Sequence, residues 1–138
     1  MAQDFTGVYS LVKQENLDNY LKALGEMDII LPLRKIVCLL SPEKDICHDG
    51  DHMVIKTLTT FKNYVMDFNI GVQFEENLEA IDGRRCQTTV CWDGDRLICT
   101  QVGEKKDRGW THWLEGDILH LEMRAEGVVA KQEFRRKK

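Results

Sequence analysis

The segment Cys47-His48-Asp49-Gly50-Asp51-His52 has the composition of a metal cluster. Its Asp-Gly-Asp centre, however, suits a hairpin turn better than a coordination sphere. Five cysteines, at 38, 47, 86, 91 and 99, make an odd number, with no Cys-x-x-Cys and no zinc-like spacing. They read as free thiols in a reducing compartment. Cys91 and His112 are types that could form a nucleophile pair, but nothing in their spacing brings them together. There is no Gly-x-Ser-x-Gly, no His-Glu-x-x-His and no phosphate-cradling glycine loop. The chain therefore reads as a non-enzymatic protein without metal or cofactor, and its informative residues must be found through the elements that carry them.

Turn signals recur about every eleven residues in the second half, at Asp82-Gly83, Asp93-Gly94-Asp95, Glu115-Gly116-Asp117 and Glu126-Gly127. Between them the residues alternate: Leu119, Leu121 and Met123 share one face, and Ile118, His120, Glu122 and Arg124 the other. Period two means strand. The same test places strands near 5–13, 45–49, 53–60, 63–69, 72–75, 84–92, 96–102, 109–114, 118–124 and 128–134. Helical spacing occurs only at 14–40, where Leu17, Tyr20, Leu21 and Leu24 are followed by Leu33, Ile36, Val37 and Leu40. Gly25 ends the first helix and Pro32 opens the second. The expected fold is all-β: a ten-stranded antiparallel barrel, closed to remove its edges, with a two-helix lid inserted after the first strand.

The chain has 138 residues, 43% of them apolar, which suits one domain over 1–138 that needs neither disulfides nor a structural metal. Apolar runs at 29–33 and 36–40 are far shorter than a membrane span. Met1-Ala2-Gln3-Asp4-Phe5 carries no secretory signal, so a cytoplasmic location is expected. Five basic residues against one acid in 131–138 leave the body more acidic than the net −4. That argues against nucleic acid as a partner.

Strand parity then isolates three polar residues on inward faces. Gln132 shares a face with Val128, Ala130 and Phe134; His112 with Trp110 and Leu114; Thr57 with Met53 and Ile55. An unpaired buried amide or imidazole costs about 1–3 kcal/mol, so each needs a side chain, a water or a ligand. A ten-stranded barrel encloses more space than its own side chains fill. A largely apolar cavity with a few polar groups is a small-molecule site.

Phe5-Thr6-Gly7, Leu33-Arg34-Lys35-Ile36, Asp49-Gly50-Asp51-His52-Met53, Thr59-Thr60-Phe61-Lys62-Asn63-Tyr64, Trp92-Asp93-Gly94-Asp95, Gly103-Glu104-Lys105, Arg108-Gly109-Trp110 and Lys131-Gln132-x-Phe134 resemble the cellular retinol-binding proteins. These belong with the fatty-acid-binding and retinoic-acid-binding proteins among the intracellular lipid-binding proteins. The likeness runs essentially the whole length, and Thr111-His112-Trp113 resembles types III and IV. It implies a β-clam with a helix-turn-helix lid around one retinoid. Acid carriers of this fold clamp a carboxylate with an Arg-x-Tyr pair. Here the pair is Gln132-x-Phe134 and the upstream position is His112, which favours all-trans-retinol or retinal over an acid.

By that resemblance Lys44 and His112 flank the hydroxyl end. Thr57, Tyr64, Phe61, Met66, Trp110, Gln132, Ile55 and Leu33 supply further contacts. The alternatives are a broader fatty-acid or lipid carrier and, remotely, a lipid-modifying enzyme. A monomer that meets membranes or retinoid enzymes transiently is expected, with Arg34, Lys35 and Lys62 either steering the mouth or forming a solvated face. Tyr9, where the family commonly has Trp, is expected to alter packing alone. The linker 25–32, about three residues longer than the family's, is expected to alter the rate of ligand access. The basic tail 135–138 is expected to fray.

Overall fold

A computed structural model describes residues 4–25, 31–78 and 84–137, with the backbone alone for Gly25 and for 31–33. The elements run β1 (Gly7–Glu15), α1 (Leu17–Gly25), α2 (Leu31–Leu39), β2 (Glu43–Asp49), β3 (His52–Leu58), β4 (Tyr64–Asn69) and β5 (Phe74–Leu78). They continue with β6 (Arg84–Asp93), β7 (Arg96–Val102), β8 (Gly109–Glu115), β9 (Ile118–Ala125) and β10 (Val128–Arg136). Asp82-Gly83 lies outside the described residues, while turns form at Asp49-Gly50, Asp93-Gly94, Glu115-Gly116 and Glu126-Gly127. At the last one Glu126 (φ 51°) and Gly127 (φ 80°) both take left-handed backbone, whose twist matches the flanking strands.

The ten strands form one antiparallel sheet ordered β4-β3-β2-β1-β10-β9-β8-β7-β6-β5. Pairing of β1 with β10, for example Leu11 with Phe134, curls it into a barrel. Closure is incomplete, contrary to expectation, because β4 and β5 share no ladder. The turn between them sends its donors elsewhere: Ile70 N–H reaches Asp51 O at 2.6 Å and Gly71 N–H reaches Val90 O at 2.7 Å. Side chains cross the gap instead. Phe68 stacks on Phe74 at 6.0 Å, and the Tyr64 hydroxyl donates to Glu76.

That turn also consumes Val72 and Gln73, so β5 starts at Phe74 and not at the expected 72. The tail is another correction. β10 runs to Arg136, Lys137 N–H bonds Val8 O at 2.7 Å and its ammonium pairs with Glu43, so the chain is held in the sheet through Lys137. Lys138 lies outside the described residues, as do 26–30 of the linker.

One apolar core fills the barrel floor, with Phe5, Tyr9, Met53, Leu97, Leu119 and Phe134 fully buried. Tyr9 does more than pack. Its hydroxyl donates to Phe5 O at 2.7 Å and accepts from Arg136 Nη2 at 2.7 Å, tying the two ends of the fold together. A second cluster seats the lid: Leu17, Tyr20, Leu21 and Leu24, one stripe of α1, pack on Ala125 and Ala130 of β9 and β10. Among the described residues no helix is long and apolar enough to cross a membrane.

Candidate functional site

Between the floor core and the lid lies a cavity of about 320 Å³. Its wall is mostly apolar: α1 closes the top with Leu17, Tyr20, Leu21 and Leu24, while Ile55, Met66, Trp110, Leu121 and Met123 line the sides. Lys44, Thr57, Tyr64, His112 and Gln132 also face it. Phe61 stands at the mouth, 47% exposed, with the Lys62 ammonium 5.6 Å from its ring. The Leu33 side chain lies outside the described residues.

The three inward polar residues isolated by parity meet different fates. Thr57 Oγ1 accepts a hydrogen bond from Lys44 Nζ at 2.7 Å, across the β2–β3 pair that sets these two residues opposite each other. Gln132 Nε2 donates to Gln14 Oε1 at 2.9 Å. His112, only 2% exposed, has no hydrogen-bond partner at either ring nitrogen among the described residues. Trp110 meets it edge-on at 4.5 Å.

Burial, and then the nearby Lys44 charge, hold the His112 imidazolium pKa well below 6.5, so the ring is neutral. Burial also brings the Lys44 ammonium down from 10.5 to about 8. One cavity end therefore presents a strong donor beside a neutral ring that can donate or accept. A hydroxyl meets both demands, accepting from Lys44 and donating to His112.

A second polar group was missed by parity. Glu76 on β5 is buried and accepts from Thr88 Oγ1 at 2.8 Å, from Gln101 Nε2 at 2.9 Å and from the Tyr64 hydroxyl. Burial and then Glu76 push the Tyr64 phenol and the Cys99 thiol upward, and the Arg108 charge opposes both shifts. Arg108, 5% exposed, also lines the cavity, so this wall carries both a buried guanidinium and a buried carboxyl group. The signal was present: Phe74, Glu76 and Leu78 share a face, as do Arg108, Trp110 and His112. The expected strand near 72–75 stopped before Glu76, which sits in the middle of β5, whereas β8 begins at 109 as expected and Arg108 lies just before it.

Arg34, expected at the surface as a steering charge, is instead buried, with Nε 3.1 Å from Asp18 Oδ1 on α1. The cysteine and histidine cluster at 47–52 separates into unconnected roles. His48 Nδ1 accepts from Phe5 N–H at 3.2 Å with Nε2 3.0 Å from Gly50 O, and His52 Nε2 lies 2.6 Å from Asp67.

The sequence profile described as Lipocalin / cytosolic fatty-acid binding protein family matches residues 6–137. Retinol-binding protein 1 of Homo sapiens is 58% identical over 136 residues, covering 99% of this chain and 98% of that one. Retinoid-binding protein 7 of Homo sapiens is 47% identical over 136 residues, covering 99% of both. The solved structure of human cRBP IV superposes with a TM-score of 0.94 at 47% identity, over 98% of this chain and 99% of that one.

Proposed function

The chain belongs to the lipocalin / cytosolic fatty-acid binding protein family, and we propose that it is a cytoplasmic, non-enzymatic, single-domain carrier of one retinoid, all-trans-retinol foremost and retinal second. The observation that carries this reading is the unpartnered His112 beside Lys44 at the end of an apolar cavity. A retinoid is nearly all hydrocarbon, so burial supplies the affinity. The hydroxyl fixes its direction, accepting from Lys44 and donating to the imidazole. Thr57, Tyr64, Phe61, Met66, Trp110, Gln132, Ile55 and Leu33 complete the contacts.

His112 also sets selectivity. It is neutral in the empty cavity, but a bound carboxylate favours its protonated form, so it tolerates acids in a way that glutamine does not. Arg108 in the wall supports the second reading, a broader fatty-acid carrier. Competition among retinol, retinal, retinoic acid and oleate tests both. Retinol is expected to rank first, and His112→Gln to widen the gap between retinol and oleate about tenfold, near the worth of one hydrogen bond to a charged group. Identical rankings for the two forms remove His112 as the cause, and displacement of retinol by equal oleate selects the broader carrier.

Delivery to membranes or retinoid enzymes runs through the lid side. There Ile36 and Leu39 of α2 are exposed, the latter by 85%, beside the cation of Lys35.

A further inference from the structure

The two lid helices are held very differently. α1 packs on β9 and β10, whereas α2 packs on α1 and meets the sheet only sparsely. Ile36 and Leu39 turn their apolar side chains outward. One polar tie, Arg34 to Asp18, joins α2 to α1. Another reaches the barrel: Gln14 Nε2 on β1 donates to the Cys38 carbonyl at 2.9 Å. Cys38 is the penultimate residue of α2, so its carbonyl is one of the last four that the helix cannot satisfy itself. Gln14 caps it.

That cap is braced from the cavity wall. Gln132 on β10 is the ladder partner of Gln14, and its amide donates to Gln14 Oε1 at 2.9 Å. Both hydrogen bonds run in one sense, from Gln132 to Gln14 and from Gln14 to the lid. Flipping the Gln14 amide would set NH2 against NH2 at one end and oxygen against oxygen at the other. The Cys38 carbonyl, which only accepts, turns the Gln14 NH2 toward α2, and the Gln132 amide holds the oxygen left at the other end.

We propose that Gln14 is the latch of the α2 lid and that Gln132 is its positioning residue, so that this two-amide relay sets how fast ligand passes beneath α2. The kinetic part rests on the reading of the cavity as a retinoid site. The lid part does not, and the two are tested separately.

Hydrogen exchange of the ligand-free full chain reads the lid directly. Gln14→Leu is expected to speed exchange of α2 amides 34–39 roughly tenfold, near the worth of one hydrogen bond, with amides of β8 and β9 unchanged as the check on folding. Gln14→Glu keeps the acceptor for Gln132, loses the donor to Cys38 O and is expected to match it. Gln132→Met leaves both partners of the Gln14–Cys38 bond in place, yet is expected to speed the same amides at least threefold by releasing the Gln14 amide.

In stopped-flow fluorescence with retinol, Gln14→Leu is expected to raise association and dissociation rates together, roughly tenfold. Unchanged α2 exchange in Gln14→Leu overturns the latch. Faster exchange in Gln14→Leu but not in Gln132→Met overturns the relay. Faster exchange with unchanged retinol rates overturns the kinetic role. Failure of the unsubstituted protein to bind retinol counts against the proposed ligand and leaves the exchange result to decide the latch.

Discussion

Lys44 and His112 are expensive residues to bury, and the expense is what a ligand recovers. Lowering the Lys44 ammonium from 10.5 to about 8 corresponds to roughly 3 kcal/mol of destabilisation at neutral pH, at about 1.4 kcal/mol per pH unit. The unfolded chain keeps that proton up to pH 10.5 and the folded one only to about 8. Stability from this residue therefore rises with pH across that window. For His112 the unfolded ring takes up a proton as pH falls through 6.5 while the folded ring stays neutral, so stability falls on the acid side. Lys44→Met should flatten the alkaline slope, raise ligand-free stability by up to about 3 kcal/mol and weaken retinol about tenfold. His112→Gln should flatten the acid slope. Urea denaturation at pH 5, 7, 8 and 10, beside retinol titration, reads both. Thr57, His112 and Gln132 were legible because parity betrays a polar residue on an apolar face. Lys44 came only through the family likeness, since its strand was expected to start at 45. Glu76, in the middle of β5, escaped because the expected strand stopped at 75, and Arg108 because it lies just before β8, outside the alternating run.

Among the elements, the strands were legible because a half-buried strand alternates, and α1 because Leu17, Tyr20, Leu21 and Leu24 form one stripe. What could not be read was how far each strand persists, since that depends on its neighbour. β10 continues through Arg135 and Arg136 because β1 lies alongside to pair with them, and nothing local marks this. The β4–β5 gap was equally hidden. A short turn after an alternating run looks like any hairpin, and only the capture of its donors by Asp51 and Val90 holds the strands apart. The β7–β8 pair carries a sharper constraint. A Cβ on Gly109 would lie 2.2 Å from the Cys99 carbonyl oxygen, in the backbone of the neighbouring strand. Gly109→Ala should cost about 3 kcal/mol or more. Gly50→Ala meets open space and only left-handed backbone (φ 60°), and should cost about 1 kcal/mol. Equilibrium unfolding of the two variants checks the contrast, and equal losses would contradict it.

For the molecule as a whole, the acidic body and basic tail turn out to be joined, with Lys137 on Glu43 and Arg136 on Tyr9 across the seam where the first and last strands meet. The sheet order and the missing β4–β5 ladder have a consequence for connectivity. Read from one edge, the sheet runs β5 to β10 and then β1 to β4, which is chain order with a different starting point. A circular permutant opened in the 70–73 turn and joined across the old termini would keep every described ladder and turn the pairing between the first and last strands, β1 with β10, into a hairpin-like neighbour. Lower contact order speeds folding. Such a permutant should refold severalfold faster in stopped-flow fluorescence while still binding retinol, with its new ends at the one place where the barrel wall is already open.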